Sequence, residues 1–170
     1  MQLTKSAVRE VRGALVALAP GMSAVVDELL PRGESLYGVR LRESKSELCV
    51  VRGVWVAVRV EGRWLPSLHF LQRYPHLLPR CQVDRGAVPH VLNGANVMAQ
   101  GLLSPGGALV EVEEGVAVLV FAEGKVHPLA VALTLRSAAA IRAEGRGPAL
   151  RTLLVMGDEL WDPAFLAKRK

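Results

Sequence analysis

Cysteine is almost absent from the chain. Cys49 and Cys81 stand alone, with no CxxC pair and no two histidines at ligand spacing, so neither a disulfide framework nor a zinc site is expected. Long apolar runs are missing too. The longest, GVWVAV around Trp55 and GVAVLVFA ending at Ala122, fall well short of the roughly 20 residues that cross a bilayer. The N-terminal MQLTKSAVREVRG interrupts its apolar residues with Lys5, Arg9, Glu10 and Arg12 and has no signal-peptide core, so a cytoplasmic location and no membrane partner are expected. No GxGxxG follows a strand, and no Ser-His-Asp or Cys-His set is evident. Neither a cofactor nor a bound metal is called for.

What is present suffices for a folded protein. With 170 residues, 51% hydrophobic and 22% charged, the chain can bury one medium or two small cores without staples and lies outside the disordered class. Its net charge of +5 makes a polyanionic partner reasonable. The excess is uneven: residues 1–80 hold 12 Lys+Arg against 7 Asp+Glu, whereas residues 81–170 hold nine of each. Arginine outnumbers lysine 16 to 5 and there are two asparagines, a bias that fits a thermophile or GC-rich coding equally.

Periodicity divides the chain. Val8, Val11, Leu15 and Leu18 form one stripe of a helix over 6–18, ended by Ala-Pro-Gly, and Ser23 is the expected N-cap of a second helix running to Leu30. From Tyr37 the period becomes two, and YGVRLR, ELCVVR and VWVAVRV read as a small antiparallel sheet. A short helical pattern through Leu68, Leu71 and Gln72 ends at Pro75 and Pro79, which sets the expected boundary between domains 1–79 and 80–170. Beyond it come a strand CQVD, a helix within RGAVPHVLNGA, and strands ANVMA, ALVEVE, VAVLVFA, VHPLAVALTL and LRTLLVM, with a helix started by Ser137 and ended by Gly145. The expected class is α+β, an N-terminal helix-and-sheet domain followed by a barrel-like C-terminal sheet.

The segment VDRGAVPHVLNGANVMAQGLLSPGG, followed by VAVLVFAEGKVHPLAVALTLRSA and GDELW, resembles the PUA domain, an RNA-binding pseudobarrel. Upstream, PSLHFLQRYPHLLPRCQVDRGA is similar to the joint between the two domains of the malignant T-cell-amplified sequence proteins and their translation-machinery-associated relatives. The early first helix and the Arg- and Val-rich composition resemble the shorter archaeal members. The resemblance implies a protein that binds the small ribosomal subunit or tRNA during initiation or recycling, without catalysis. Its partners would be structured RNA and a protein met through the N-terminal domain, in eukaryotic members the density-regulated protein. A free-standing RNA-specificity subunit for a modifying enzyme is the alternative.

By position, the resemblance places the RNA surface at Arg85, Gly86, Asn93, Gly94, Ala95, Asn96, Val97, Met98, Gly101 and Leu102. Glycine lets a phosphate backbone approach main-chain amides, and it also shapes helix ends and tight turns; for Gly94 and Gly101 both readings stand, while for Gly106 and Gly107 fold-shaping is favoured. Arg85 is a candidate phosphate contact or a partner of Asp84. Lys125 and His127, read as lying on a strand after the AEG turn, are candidates for the same groove, with a buried histidine the alternative at 127. Arg40, Arg42, Arg52, Arg59 and Arg63 fall at alternate strand positions and would form a basic platform on one sheet face, or a merely solvated one. Trp55, Trp64, Tyr37 and Tyr74 read as core rather than as stacking platforms. Trp161 is expected to pack the last strand, and Lys168, Arg169 and Lys170 form a basic tail.

Overall fold

A computed structural model describes residues 1–162; the basic tail at 168–170 lies outside the described residues. The chain divides into two compact units, Met1–Leu71 with Asp162, and Gln72–Trp161. Among the described residues no helix is long and apolar enough to cross a membrane.

In the first unit, Thr4 caps helix α1 (Lys5–Leu18) by accepting from the Ala7 amide, and Val11 and Leu15 form its buried stripe. Helix α2 (Met22–Leu29) starts one residue before Ser23. Gly21 is its N-cap and Ser23 lies exposed inside the helix, so the expected serine cap is not used. Arg12 joins the pair: its guanidinium donates to the Asp27 carboxylate and, at 2.6 Å, to the Leu30 carbonyl. Arg12, seconded by Arg32, holds the Asp27 carboxyl below the usual carboxylate range.

Strands β1 (Leu36–Arg40), β2 (Glu47–Val51), β3 (Val54–Val60) and β4 (Arg63–Pro66) form an antiparallel meander in that order. Leu48, Val58 and Leu65 face one another across it and are fully buried. The outer edge of β1 is covered, since Leu3 donates to the Leu36 carbonyl and Gly38 to the Met1 carbonyl, both at 2.8 Å. Gly38 leaves room for Leu3, since an added Cβ would stand 2.9 Å from Leu3 Cδ2 and that side chain would have to turn aside. Ser67 then caps helix α3 (Leu68–Arg73), accepting from Phe70.

The second unit is a five-stranded mixed sheet ordered β5 (Arg80–Val83), β7 (Ala117–Ala122), β8 (Pro128–Thr134), β9 (Pro148–Val155) and β6 (Val97–Met98). Only β5 and β7 run parallel. All six residues of β7 are buried, which is why AVLVFA reads as a continuous apolar run rather than an alternation. Helix α4 (Val88–Leu92) follows β5, and α5 (Ala99–Leu103) follows β6. Helix α6 (Ala138–Glu144) has the expected ends, with Ser137 accepting from Ala140 and Gly145 left-handed at φ 67°.

Two expected strands are corrected. ANVMA contributes two residues to β6 before Ala99 opens α5. ALVEVE forms no strand: Ala108 makes an isolated bridge to Gln82, and the chain beyond is held by side chains and single main-chain bonds. Thr134 Oγ1 donates to the Glu113 carbonyl (2.6 Å), Arg142 to the Leu109 carbonyl (2.8 Å), and Ala138 N–H to the Val112 carbonyl (2.8 Å). The alternation survives because Leu109, Val110 and Val112 rest on the core while Glu111, Glu113 and Glu114 stay in water.

The hairpins β2–β3 and β3–β4 turn on Arg52-Gly53 and Glu61-Gly62, with all four residues at positive φ. Such turns favour asparagine over a long side chain at the first position. Glu61→Asn is therefore expected to stabilise the protein by about 1 kcal/mol, a Tm rise of roughly 2–4 °C by scanning calorimetry.

Candidate nucleic-acid interface

Parallel pairing brings two distant segments together. Val83 of β5 stands opposite Ala122 of β7, so both strands deliver their C-terminal ends to the same edge of the unit. After Val83 the chain makes a tight turn in which the Asp84 carboxylate accepts from Ala87 N–H at 2.9 Å. After Ala122, Glu123 donates its amide to the Val83 carbonyl (3.0 Å), and its carboxylate accepts from Arg85 N–H (3.2 Å). The outcome is an open groove of about 460 Å³ lined by Arg85, Val88, Pro89, Glu123, Gly124 and Lys125.

Arg85 and Lys125 are thus neighbours across one groove although 40 residues separate them in the chain. Asp84 spends its carboxylate on the turn instead of on Arg85, and neither cation has an ion-pair partner among the described residues. Lys125 and His127 lie in the loop after β7, not on a strand, since β8 begins at Pro128. His127 is exposed, which removes the buried-histidine reading, and it does not line the groove.

A second groove of about 480 Å³ opens at the other end of α4, lined by Leu92, Asn93, Gly94, Thr152, Leu153 and Asp158 among others. Gly94 has φ 82° and an added Cβ would meet nothing within 4 Å, so the position needs glycine for its backbone while facing open space. The Thr152 hydroxyl donates to the Ala95 carbonyl (2.8 Å) and fastens this loop to β9. Gly86, Asn93, Ala95, Asn96 and Met98 are exposed.

Three resemblance-derived positions face the wrong way for contact. Val97 and Leu102 are 1% exposed and belong to the core, and Gly101 is buried in α5. An added Cβ at Gly101 would stand 3.1 Å from Ala87 Cβ, so this glycine allows α5 to pack under the α4 turn. Gly106 lies beneath the Glu123 carboxylate, and Gly107 lies 2.5 Å, measured from an added Cβ, from the Gly101 carbonyl oxygen. Glu123 and Thr152 organise the surface without having been singled out in the sequence. Each acts on a main-chain atom far away in the chain, which no local spacing reveals.

The five platform arginines do not share one sheet face. Arg40 and Arg59 stand on either side of Glu47 in register and bind it at 2.6 and 3.7 Å. Chiefly through Arg40, Glu47 is held below the usual carboxylate range. Arg52 sits in the β2–β3 turn, paired with Glu34. Arg42 lies in the β1–β2 connection and Arg63 opens β4 at the same end of the meander, and neither has an ion-pair partner among the described residues. Four of the five therefore gather at one end of the sheet rather than on a face. Trp55 and Trp64 are buried, as read from the sequence, whereas Tyr37 is 43% exposed and Tyr74 half-buried. Trp161 lies half-buried in the turn after β9.

Comparison with known proteins agrees with both units. Family models match residues 1–75 as a Pre-PUA-like domain and residues 79–153 as a PUA domain. Malignant T-cell-amplified sequence 2 of Homo sapiens is 35% identical over 162 residues, covering 95% of this chain and 89% of the human protein. Translation machinery-associated protein 20 of Schizosaccharomyces pombe is 33% identical over 161 residues, covering 94% and 88%. Among solved structures, a hypothetical protein from the archaeon Pyrococcus horikoshii superposes with a TM-score of 0.74 at 25% identity, covering 95% of this chain and 96% of that one.

The glycines differ in what replacing them costs. Gly107→Ala forces a methyl against backbone and is expected to lose about 2–3 kcal/mol, whereas Gly94→Ala pays only for its backbone angle, about 1–2 kcal/mol. Urea unfolding midpoints order the two variants.

Proposed function

Because the chain belongs to the PUA-domain family of malignant T-cell-amplified sequence and translation machinery-associated proteins, we propose that it binds structured RNA of the translation machinery through the surface around α4. The observation that carries this reading is the pairing of Arg85 with Lys125 across one open groove, both without an ion-pair partner among the described residues. By contrast Arg136 and Arg142 of the same unit are held in ion pairs. Two free cations flanking an apolar floor of Val88, Pro89 and Ala122 suit a sugar-phosphate backbone, whose charge is met by the cations and whose sugars rest on the floor.

The target we favour is the small ribosomal subunit, or tRNA held on it, during initiation or recycling. The basic end of the N-terminal sheet, where Arg42 and Arg63 have no ion-pair partner among the described residues, adds sequence-independent attraction to RNA, and that unit is also the dock for a protein partner. The role is binding rather than chemistry. Cys49 and Cys81, the two thiols, are buried and pushed up to about 11, which leaves them protonated and unreactive.

Co-sedimentation with purified small ribosomal subunits at physiological salt tests the target, and association only with an RNA-modifying enzyme complex would replace it by the specificity-subunit reading. For the groove, Arg85→Ala and Lys125→Ala are each expected to weaken RNA binding about 5–10-fold and to lower the salt slope by about one, with Tm unchanged. Unaltered affinity in both would remove this groove from the interface.

A further inference from the structure

We propose that Arg146 is a second phosphate-binding residue, which carries the RNA path from the Gly94 loop across β6, with the exposed Met98 side chain as a platform for an unpaired base. The proposal rests on the RNA-binding reading above and adds to it a site on a different loop.

Arg146 is held between two left-handed glycines, Gly145 at φ 67° and Gly147 at φ 83°, in the short connection from α6 to β9. Connections of this kind are normally mobile, but this one is stapled. The Arg136 guanidinium donates to the Arg146 carbonyl at 2.8 Å and to the Pro148 carbonyl at 3.0 and 3.3 Å, and it also pairs with Glu144. A single side chain, only 19% exposed, thereby fixes the loop backbone and occupies the nearest acid in sequence. Arg146 itself is exposed and has no ion-pair partner among the described residues. Nothing within the loop competes for its guanidinium, and the hydrogen bonds to the Arg146 and Pro148 carbonyls reduce what the loop backbone must lose on binding.

The loop is also docked onto the strand that carries the candidate RNA residues. Ala99 donates its amide to the Gly147 carbonyl at 2.9 Å, and Met98 stands opposite Pro148 in the β6–β9 register. Met98 is 46% exposed and Asn96 is exposed two residues before it. A cation on a held backbone, an apolar and polarisable thioether and an exposed carboxamide on adjoining segments match three parts of one unpaired nucleotide: phosphate, base face and base edge.

The test is fluorescence anisotropy with two probes, a hairpin RNA carrying a single-stranded overhang and the same hairpin blunt-ended, across a salt series. Arg146→Ala is expected to weaken binding of the overhang probe about 5–10-fold and to lower its salt slope by about 0.7, and Arg146→Lys to restore the slope. Met98→Ala is expected to weaken overhang binding severalfold with the slope unchanged. Because the Arg146 side chain makes no hydrogen bond or ion pair among the described residues, Tm should not move in Arg146→Ala. If Arg85→Ala weakens binding while Arg146→Ala leaves affinity and slope unaltered for both probes, the site at Arg146 is overturned and the groove reading stands. If the unmodified chain binds neither probe nor small subunits, both fall together.

Discussion

The parallel pairing of β5 with β7 is the constraint on which the surface of the C-terminal unit depends. Parallel strands end at the same side of a sheet, so Val83↔Ala122 brings the loops that follow them to one edge. That placement is secured by burial. β7 has no exposed residue, and any slip in its register would carry Lys125 away from Arg85 at the expense of a fully buried strand. Glu123 adds a local lock, giving its amide to the end of β5 and its carboxylate to the first residues beyond it. The cations of the groove lie on loops, while the geometry that sets their spacing belongs to the core.

A second division of labour separates arginines that build from arginines that are left over. Arg12, Arg136 and Arg142 each bond to a main-chain carbonyl as well as to a carboxylate, which suits a planar donor with several N–H groups. They hold the α1–α2 pair, the α6–β9 loop and the strandless segment after Ala108. A lysine has the charge but not the fork, so the preference for arginine in this chain has a structural component beyond codon usage or temperature.

Sequence reading recovered what local physics determines. The α1 stripe, the Ser137 cap, the Gly145 stop and the first three strands of the meander follow from period, capping and turn residues that act within a few positions, whereas β4, too short at four residues to show a period, does not. It failed where a distant partner decides. ALVEVE has the alternation of a strand, but its main chain is engaged by Thr134, Arg142 and Ala138 from elsewhere in the chain. The site shows the same limit. The family resemblance identified three short runs between 85 and 102, yet only orientation separates exposed Asn96 and Met98 from buried Val97 and Leu102. For the platform arginines the sequence counted charges correctly, whereas the register that places Glu47 between Arg40 and Arg59 decides how much of that charge remains available.

The two buried thiols also bear on how the protein can be studied. With Cys49 and Cys81 fully enclosed and protonated at neutral pH, alkylating dyes and spin labels find no native target. One cysteine introduced on an exposed loop would then be the sole reactive position. The chain accepts a fluorophore or crosslinker at a chosen point on either groove without first being stripped of its own sulfur.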